Sequence, residues 1–266
     1  MIEELITDPT FRQLLKPHLD NAQFLSLELG KLVKEYSPDD DFSVAQYLLG
    51  LEYYKKRLHA IFPPGQLFLD VGCGAGNWSL SAASFFQQVV GVDLREDRLK
   101  VATRMASSIK CSNVRFESAS ALRLPLDSGV VDALLCYNVL QFIDHPHRLV
   151  LSEMRRVMKP GGLAYFWVPD IGIILYYLRQ TFGSRSVAQW RNMSRILGRA
   201  FLSLFGFRPI SWMNQNYMLN ICQRSGWDVK GVGSECSIGN LDLKPIFPPE
   251  YARFPFGREY LLSPRS

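Results

Sequence analysis

Leu67-Phe68-Leu69-Asp70-Val71-Gly72-Cys73-Gly74-Ala75-Gly76-Asn77-Trp78 joins a short apolar run to three alternating glycines and then to the start of a helical pattern. Pro63-Pro64-Gly65 stops the chain before it, so residues 67–71 begin a new element. A short, nearly continuous apolar run suits a strand buried on both faces. Glycines at the junction of that strand with a helix permit positive φ and let the backbone approach a ligand with no Cβ in the way. Taken alone the loop is a weak signal, because any such junction can turn on a glycine or two.

Working outward, apolar runs at 89–92, 114–116, 133–136 and 163–168 alternate with helical patterns at 78–86, 95–109 and 147–158. A β-α-β unit repeated in this way predicts a doubly wound, mostly parallel α/β sheet with helices on both faces. Ahead of it, Leu14, Leu15, Leu25, Leu27 and Leu32, then Tyr47, Leu48, Leu51, Tyr54 and Leu58, recur at helical spacing and predict two or three helices. Residues 227–232 and 259–262 read as two last strands, joined by a loop containing Pro245, Pro248, Pro249 and Pro255. The expected division is a helical segment over 1–64, a core over 65–170, a helical insertion over 171–220 and the strands that complete the sheet over 221–266.

Val89-Val90-Gly91-Val92-Asp93 gives the glycine loop its meaning. A doubly wound fold places an acid on ribose hydroxyls at the end of the second strand, about twenty residues beyond the loop, and Asp93 stands there. A dinucleotide site wants G-x-G-x-x-G. Here the third glycine comes one position early and Asn77 occupies the expected place, which disfavours a pyrophosphate.

These residues resemble motif I and the acidic second strand of class I S-adenosylmethionine-dependent methyltransferases, in which an acid precedes a G-x-G-x-G loop. The rest of that pattern follows in order: Leu124-Pro125-Leu126 before the fourth strand, Asp132-Ala133-Leu134-Leu135-Cys136-Tyr137-Asn138-Val139-Leu140 as that strand and its exit, and Met158-Lys159-Pro160-Gly161-Gly162 as the turn before the fifth. The resemblance implies a Rossmann-like, seven-stranded sheet with S-adenosylmethionine as cofactor. It implies that Asp70 and the backbone of Gly72, Cys73, Gly74 and Gly76 hold the methionine part, that Asp93 accepts bonds from the ribose hydroxyls, that Leu94 packs on adenine, and that Asn138 helps hold the amino-acid moiety. Aligned on Leu124-Pro125, Ser120 stands where many members carry an Asp for the adenine amino group. Its hydroxyl and the amide of Ala121 remain to make that contact, which implies weaker adenine binding.

Methyl transfer from a sulfonium is an in-line displacement with an activated leaving group, so positioning and desolvation supply most of the acceleration. A hydroxyl acceptor would profit from a general base at the carboxyl ends of the fourth and fifth strands, where Asp170 and Tyr137 fall, with His145 of Ile143-Asp144-His145-Pro146-His147 as a third candidate. Each has a plainer reading: Asp170 as a helix N-cap ahead of Ile171, Tyr137 as pocket wall, His145 and His147 as exposed side chains. The His-x-His spacing lacks a nearby third ligand, and no metal is expected. The five cysteines, Cys73, Cys111, Cys136, Cys222 and Cys236, form no C-x-x-C pair and read as reduced thiols. Tyr36, Tyr53 and Tyr54 are placed either to cover the cofactor or to pack in the core.

Residues 171–226 contain seven arginines and no Lys, Asp or Glu, which leaves 23 basic residues against 25 acidic elsewhere, so the chain's +5 resides in this stretch. With its Tyr, Trp and Phe it reads as a substrate lid whose aromatics enclose an apolar acceptor and whose arginines pair with a carboxylate or phosphate. A solvated helical face and peripheral contact with an anionic membrane surface are the alternatives.

At 47% hydrophobic and 21% charged residues over 266 positions, the chain belongs with folded globular proteins and not with disordered, collagen-like or disulfide-scaffold classes. Pro169-Asp170 divides its longest apolar stretch, 161–178, which fits a strand, turn and helix start better than a membrane span. Met1-Ile2-Glu3-Glu4 carries acid where a signal peptide carries base, so a cytoplasmic location is expected. The sequence therefore reads as a methyltransferase acting on O, N or C of a small molecule, with no nucleic-acid-binding module and no obligate protein partner in evidence. Methylation of an RNA base and a non-catalytic S-adenosylmethionine-binding module are the competing readings.

Overall fold

The computed structural model of the chain describes residues 26–144, 146–169, 215–234, 238–239 and 257–265. One sheet holds β1 (Gly65–Val71), β2 (Phe86–Asp93), β3 (Val114–Ser118), β4 (Val131–Tyr137), β5 (Met158–Pro169), β6 (Trp227–Ser234) and β7 (Gly257–Pro264). Their order is β3-β2-β1-β4-β5-β7-β6. The first five strands pair in parallel, and β7 lies antiparallel between β5 and β6. This is the Rossmann-like, mostly parallel sheet expected from the alternation of apolar runs. The strand order reverses between β1 and β4, which opens a crevice at their carboxyl ends, where open α/β sheets bind ligands.

Helices α1 (Leu27–Tyr36), α2 (Asp41–Leu48), α3 (Leu51–Ile61), α4 (Asn77–Ala82), α5 (Glu96–Ser108), α6 (His147–Val157) and α7 (Gln215–Arg224) flank the sheet. Their apolar spacing explains which face each buries. On α6, His147, Val150, Leu151, Met154 and Val157 form one buried stripe, and Leu99, Ala102, Met105 and Ala106 do the same on α5. Alternation along the strands splits the core in two. Phe68, Leu135, Tyr165 and Trp167 pack under the N-terminal helices, while Leu69, Leu134, Cys136 and Phe166 pack against α6 and α7.

Two boundaries differ from the sequence reading. The helix expected over 78–86 ends at Ala82, because Asn113 Nδ2 donates to the carbonyls of Ala83 and Phe86 at 2.9 Å each and buried Phe86 pairs with Gly65 at the start of β2. The Lys159-Pro160-Gly161-Gly162 turn lies inside β5, as an irregularity between Met158, opposite Val131, and Leu163, opposite Ala133. Lys159 Nζ donates to Asp132 Oδ1 at 2.8 Å across it. Among the described residues no helix is long and apolar enough to cross a membrane. The expected insertion falls outside the described residues up to position 214.

A buried ion pair ties the N-terminal helices to the sheet. Arg57 Nη2, on α3, donates to Glu259 Oε1 of β7 at 2.9 Å and to the hydroxyl of Tyr165 at 3.0 Å, and that hydroxyl donates to Glu259 Oε1 at 2.8 Å. Neither charged side chain is more than 1% exposed. Removing one member leaves a buried charge uncompensated, so Glu259→Gln is expected to cost about 3–5 kcal/mol of stability. The double substitution Arg57→Met with Glu259→Leu is expected to recover most of that in urea unfolding, and a Glu259→Gln protein as stable as the parent would contradict this account.

Candidate functional site

The glycine loop leaves β1 with the amides of Gly72 and Cys73 both donating to Val92 O, at 2.7 and 3.0 Å. Its three glycines serve different ends. Gly76, at φ +88°, caps α4, and a Cβ there would come within 2.8 Å of Ala102 Cβ and Phe116 Cζ. A Cβ on Gly72 would lie 2.2 Å from Val139 Cγ2. Gly74, at φ +54°, has nothing closer to its Cβ position than the Arg98 side chain at 3.7 Å. Two of the glycines are therefore required by packing, whereas Gly74 turns its bare face outward.

Asp93 stands beside that face. Its Oδ2 accepts the amide of Gly74 at 2.8 Å and its Oδ1 the amide of Arg95 at 2.9 Å, and the side chain stays partly exposed. Leu94, next to it, is 69% exposed. The amide of Ala119 donates to Asp93 O at 3.2 Å, which brings half-buried Ser120 and Ala121 to the same edge. Ser120 Oγ accepts the amide of Leu122 at 3.2 Å. Across the switch point, Asn138 has φ +60°, donates its backbone amide to Trp167 O at 3.0 Å, and accepts Gln141 Nε2 on its Oδ1 at 2.5 Å.

Asp70 sits deeper, 1% exposed, with its Oδ2 accepting the Ser79 hydroxyl at 2.6 Å. Burial pushes its carboxyl up to about 7, the Ser79 hydrogen bond works against that rise, and the nearby Asp93 carboxylate adds to it. Burial likewise holds the Cys73 thiol well above its ordinary value, reinforced by Asp70 and Asp93, so it has no thiolate character at neutral pH.

The N-terminal helices roof the loop. Tyr47, on α2, donates its hydroxyl to Ala75 O at 2.6 Å from a fully buried position, and Asp40, which caps α2 through the Ser43 amide, meets Arg98 at 3.3 Å. Tyr53 and Tyr54 are core residues packed edge to face at 5.2 Å, and Tyr36 lies under the Arg104 guanidinium. Beyond the loop, Tyr54, Trp78, Tyr137 and Trp167 form an aromatic wall at the ends of β4 and β5. Tyr54 meets Trp78 at 4.5 Å, Trp78 meets Tyr137 at 5.0 Å, and Tyr137 stacks on Trp167 at 4.8 Å and 15°. The Arg57 guanidinium lies 5.6 Å from the Trp78 ring centre and 5.9 Å from that of Tyr137.

Of the three candidate bases, Tyr137 stands in this wall, while Asp170 and His145 lie outside the described residues. His147 is buried, not exposed as its place beside a proline suggested. Its Nδ1 lies 2.8 Å from the Tyr217 hydroxyl and its Nε2 3.0 Å from Leu140 O, which joins α6 to α7. Sequence reasoning missed Tyr47, Arg57, Glu259 and Gln141. A signal existed for two of them: Arg57 interrupts the buried face of α3, and Glu259 directly precedes the apolar run Tyr260-Leu261-Leu262.

Known proteins resemble the chain in sequence and in fold. A family model described as a methyltransferase domain matches residues 68–162. A demethylmenaquinone methyltransferase of Bacillus cereus (strain B4264) is 32% identical over 103 residues, which are 37% of this chain and 43% of that protein, so the match spans less than half of the relative's length. An S-adenosylmethionine-dependent methyltransferase from Mesorhizobium loti superposes with a TM-score of 0.58 at 18% identity, over 80% of this chain and 100% of the other. Geranyl diphosphate C-methyltransferase from Streptomyces coelicolor A3(2) superposes with a TM-score of 0.56 at 16% identity, over 85% and 82%. The two structures share the fold.

Asp70 makes the site's stability depend on pH. Its carboxyl titrates near 3.8 when unfolded and near 7 when folded, so the contribution is complete below pH 4 and fades as pH rises through 7. The shift corresponds to at most about 4 kcal/mol. Asp70→Asn is expected to lose less stability than the parent between pH 5 and pH 8 in urea unfolding, and equal losses in the two proteins would refute the assignment.

Proposed function

We propose that residues 68–162, which match a methyltransferase-domain family model, form a class I S-adenosylmethionine-dependent methyltransferase domain, and that the chain transfers a methyl group to O, N or C of a small, partly apolar acceptor. The observation that carries this reading is the Asp93 carboxylate bonded at 2.8 Å to the amide of Gly74, whose bare face is open. A carboxylate with free lone pairs beside a glycine backbone suits a ribose whose sulfur-bearing side chain continues along the loop.

When bound, S-adenosylmethionine supplies a methyl on a positively charged sulfur, primed for in-line displacement. The chain's own groups then bind and orient. Asp93 accepts the ribose hydroxyls, exposed Leu94 covers one adenine face, and Ser120 with the Ala121 amide borders the adenine edge. Gly72, Cys73, Gly74 and Gly76 carry the backbone past the methionine part, with Asp70 bracing the loop through Ser79, and Asn138 faces the amino-acid end. Tyr137, Trp78 and Trp167 offer an apolar wall that excludes water near the carboxyl ends of β4 and β5. Demethylmenaquinone and geranyl diphosphate, named in two of the compared proteins, are acceptors with large hydrocarbon parts, the chemistry that such a wall accommodates. Tyr137 by position, and Asp170 and His145 by sequence, are the groups proposed to take a proton from a hydroxyl or amine acceptor. The arginines of 171–220 are proposed to pair with an acidic or phosphate group on it.

Calorimetry with S-adenosylhomocysteine tests the cofactor site. Asp93→Ala loses charge-assisted hydrogen bonds and is expected to weaken binding at least about tenfold. Gly74→Val is expected to abolish binding while unfolding remains cooperative, and unchanged affinity in both variants would remove the basis of this reading. Mass spectrometry after incubation with an isotopically labelled methyl donor and candidate extracts identifies acceptor and position together. Cofactor binding with no labelled product from any extract would favour the non-catalytic module.

A further inference from the structure

Gln141 lies in the short 3-10 turn Leu140–Phe142 just after β4, 3% exposed. Its Nε2 donates to Asn138 Oδ1 at 2.5 Å, while its Oε1 is buried with no hydrogen-bond partner among the described residues. A residue selected for packing alone would fill this space with an apolar side chain and avoid burying an unmatched carbonyl. Asn138 is held on its other side as well, by the backbone bond to Trp167 O and by the left-handed φ that aims its side chain. Val139, between them, packs directly beneath Gly72. The turn 138–141 and the glycine loop therefore face each other across the crevice between β1 and β4.

We propose that Gln141 is a positioning residue for the amino-acid end of the cofactor, acting through Asn138, a role that rests on the S-adenosylmethionine reading of the site. With Oδ1 engaged by Gln141, Nδ2 is the Asn138 side-chain group left to meet the cofactor, and a side-chain amide donor recognises a carboxylate. Strand order assigns the end. Asp93 and Leu94 stand at the exit of β2, on the far side of β1 from β4, so ribose and adenine lie on the β2 side and the α-carboxylate falls toward Asn138. Parallel strands are spaced about 4.8 Å apart, so the β2 and β4 exits are separated by about the extent of a nucleoside with its side chain.

Two probes separate this role from a merely structural one. S-adenosylhomocysteine carries the amino-acid end and 5′-methylthioadenosine lacks it, while both carry ribose and adenine. Gln141→Leu is expected to weaken S-adenosylhomocysteine binding roughly tenfold by calorimetry and to leave 5′-methylthioadenosine affinity within about twofold. Gln141→Glu replaces the donor with a carboxylate facing Asn138 Oδ1, should show the same pattern, and stands in if the leucine variant does not fold. In the background of Asn138→Ala, Gln141→Leu should add little, because its effect passes through Asn138. Equal loss toward both probes, or no loss toward either, overturns the proposal. A parent protein that binds neither probe overturns the cofactor reading itself, and this one with it.

Discussion

Among the described residues, one of the tightest gaps lies between Gly72 and Val139, where a single added carbon would come to 2.2 Å of the valine methyl. β1 and β4 are neighbours in the sheet, and their exits must diverge to leave a crevice, yet the loops that follow them have to pack against each other to close its floor. A glycine at 72 lets them meet with no side chain between. The same constraint recurs one step on, where Gly76 seats α4 against Ala102 and Phe116. Interiors this dense transmit position. The placement of Gly74, Asp93 and Asn138 relative to one another follows from contacts made by glycines that face away from the open space.

A second layer of control comes from the N-terminal helices. α3 is anchored to β7, between β5 and β6, by Arg57 and Glu259, about two hundred residues apart in sequence, and the same guanidinium lies over Trp78 and Tyr137. The aromatic wall is therefore braced by a charge that cannot shift without leaving Glu259 unmatched. Tyr47 adds a short bond from α2 to the loop itself. The helices ahead of the sheet thus take part in shaping the crevice as well as burying its apolar underside.

Most of the sheet was legible because parallel strands buried on both faces leave continuous apolar runs, and each of the seven appears where such a run or alternation stands. The glycine loop and Asp93 were legible for a related reason, since backbone conformation and a carboxylate at a strand end leave fixed letters at fixed spacing. Helix ends were less so. Nothing local to residues 83–86 announces that Asn113, thirty positions on, takes two of their carbonyls and ends α4 early. Buried polar partners were the hardest to read: Gln141 looks like an ordinary surface residue, and Arg57, though it interrupts an apolar helix face, finds its partner Glu259 about two hundred residues on. His147 shows the same limit, because its partner Tyr217 belongs to a helix seventy residues away.

Asp70 and Asp93 stand at the carboxyl ends of the neighbouring strands β1 and β2. Their surroundings separate them. Asp70 is enclosed, its hydrogen bond runs back to Ser79 on the following helix, and burial makes its charge costly. Asp93 is partly exposed, each oxygen takes a backbone amide, and it keeps lone pairs toward the open side. Backbone donors on both oxygens fix the aim of the Asp93 side chain. A carboxyl poised near neutrality inside the loop contributes differently, by holding the strand-to-helix turn in one shape. Two identical side chains at the ends of neighbouring strands are thus set apart by burial and by their hydrogen-bond partners.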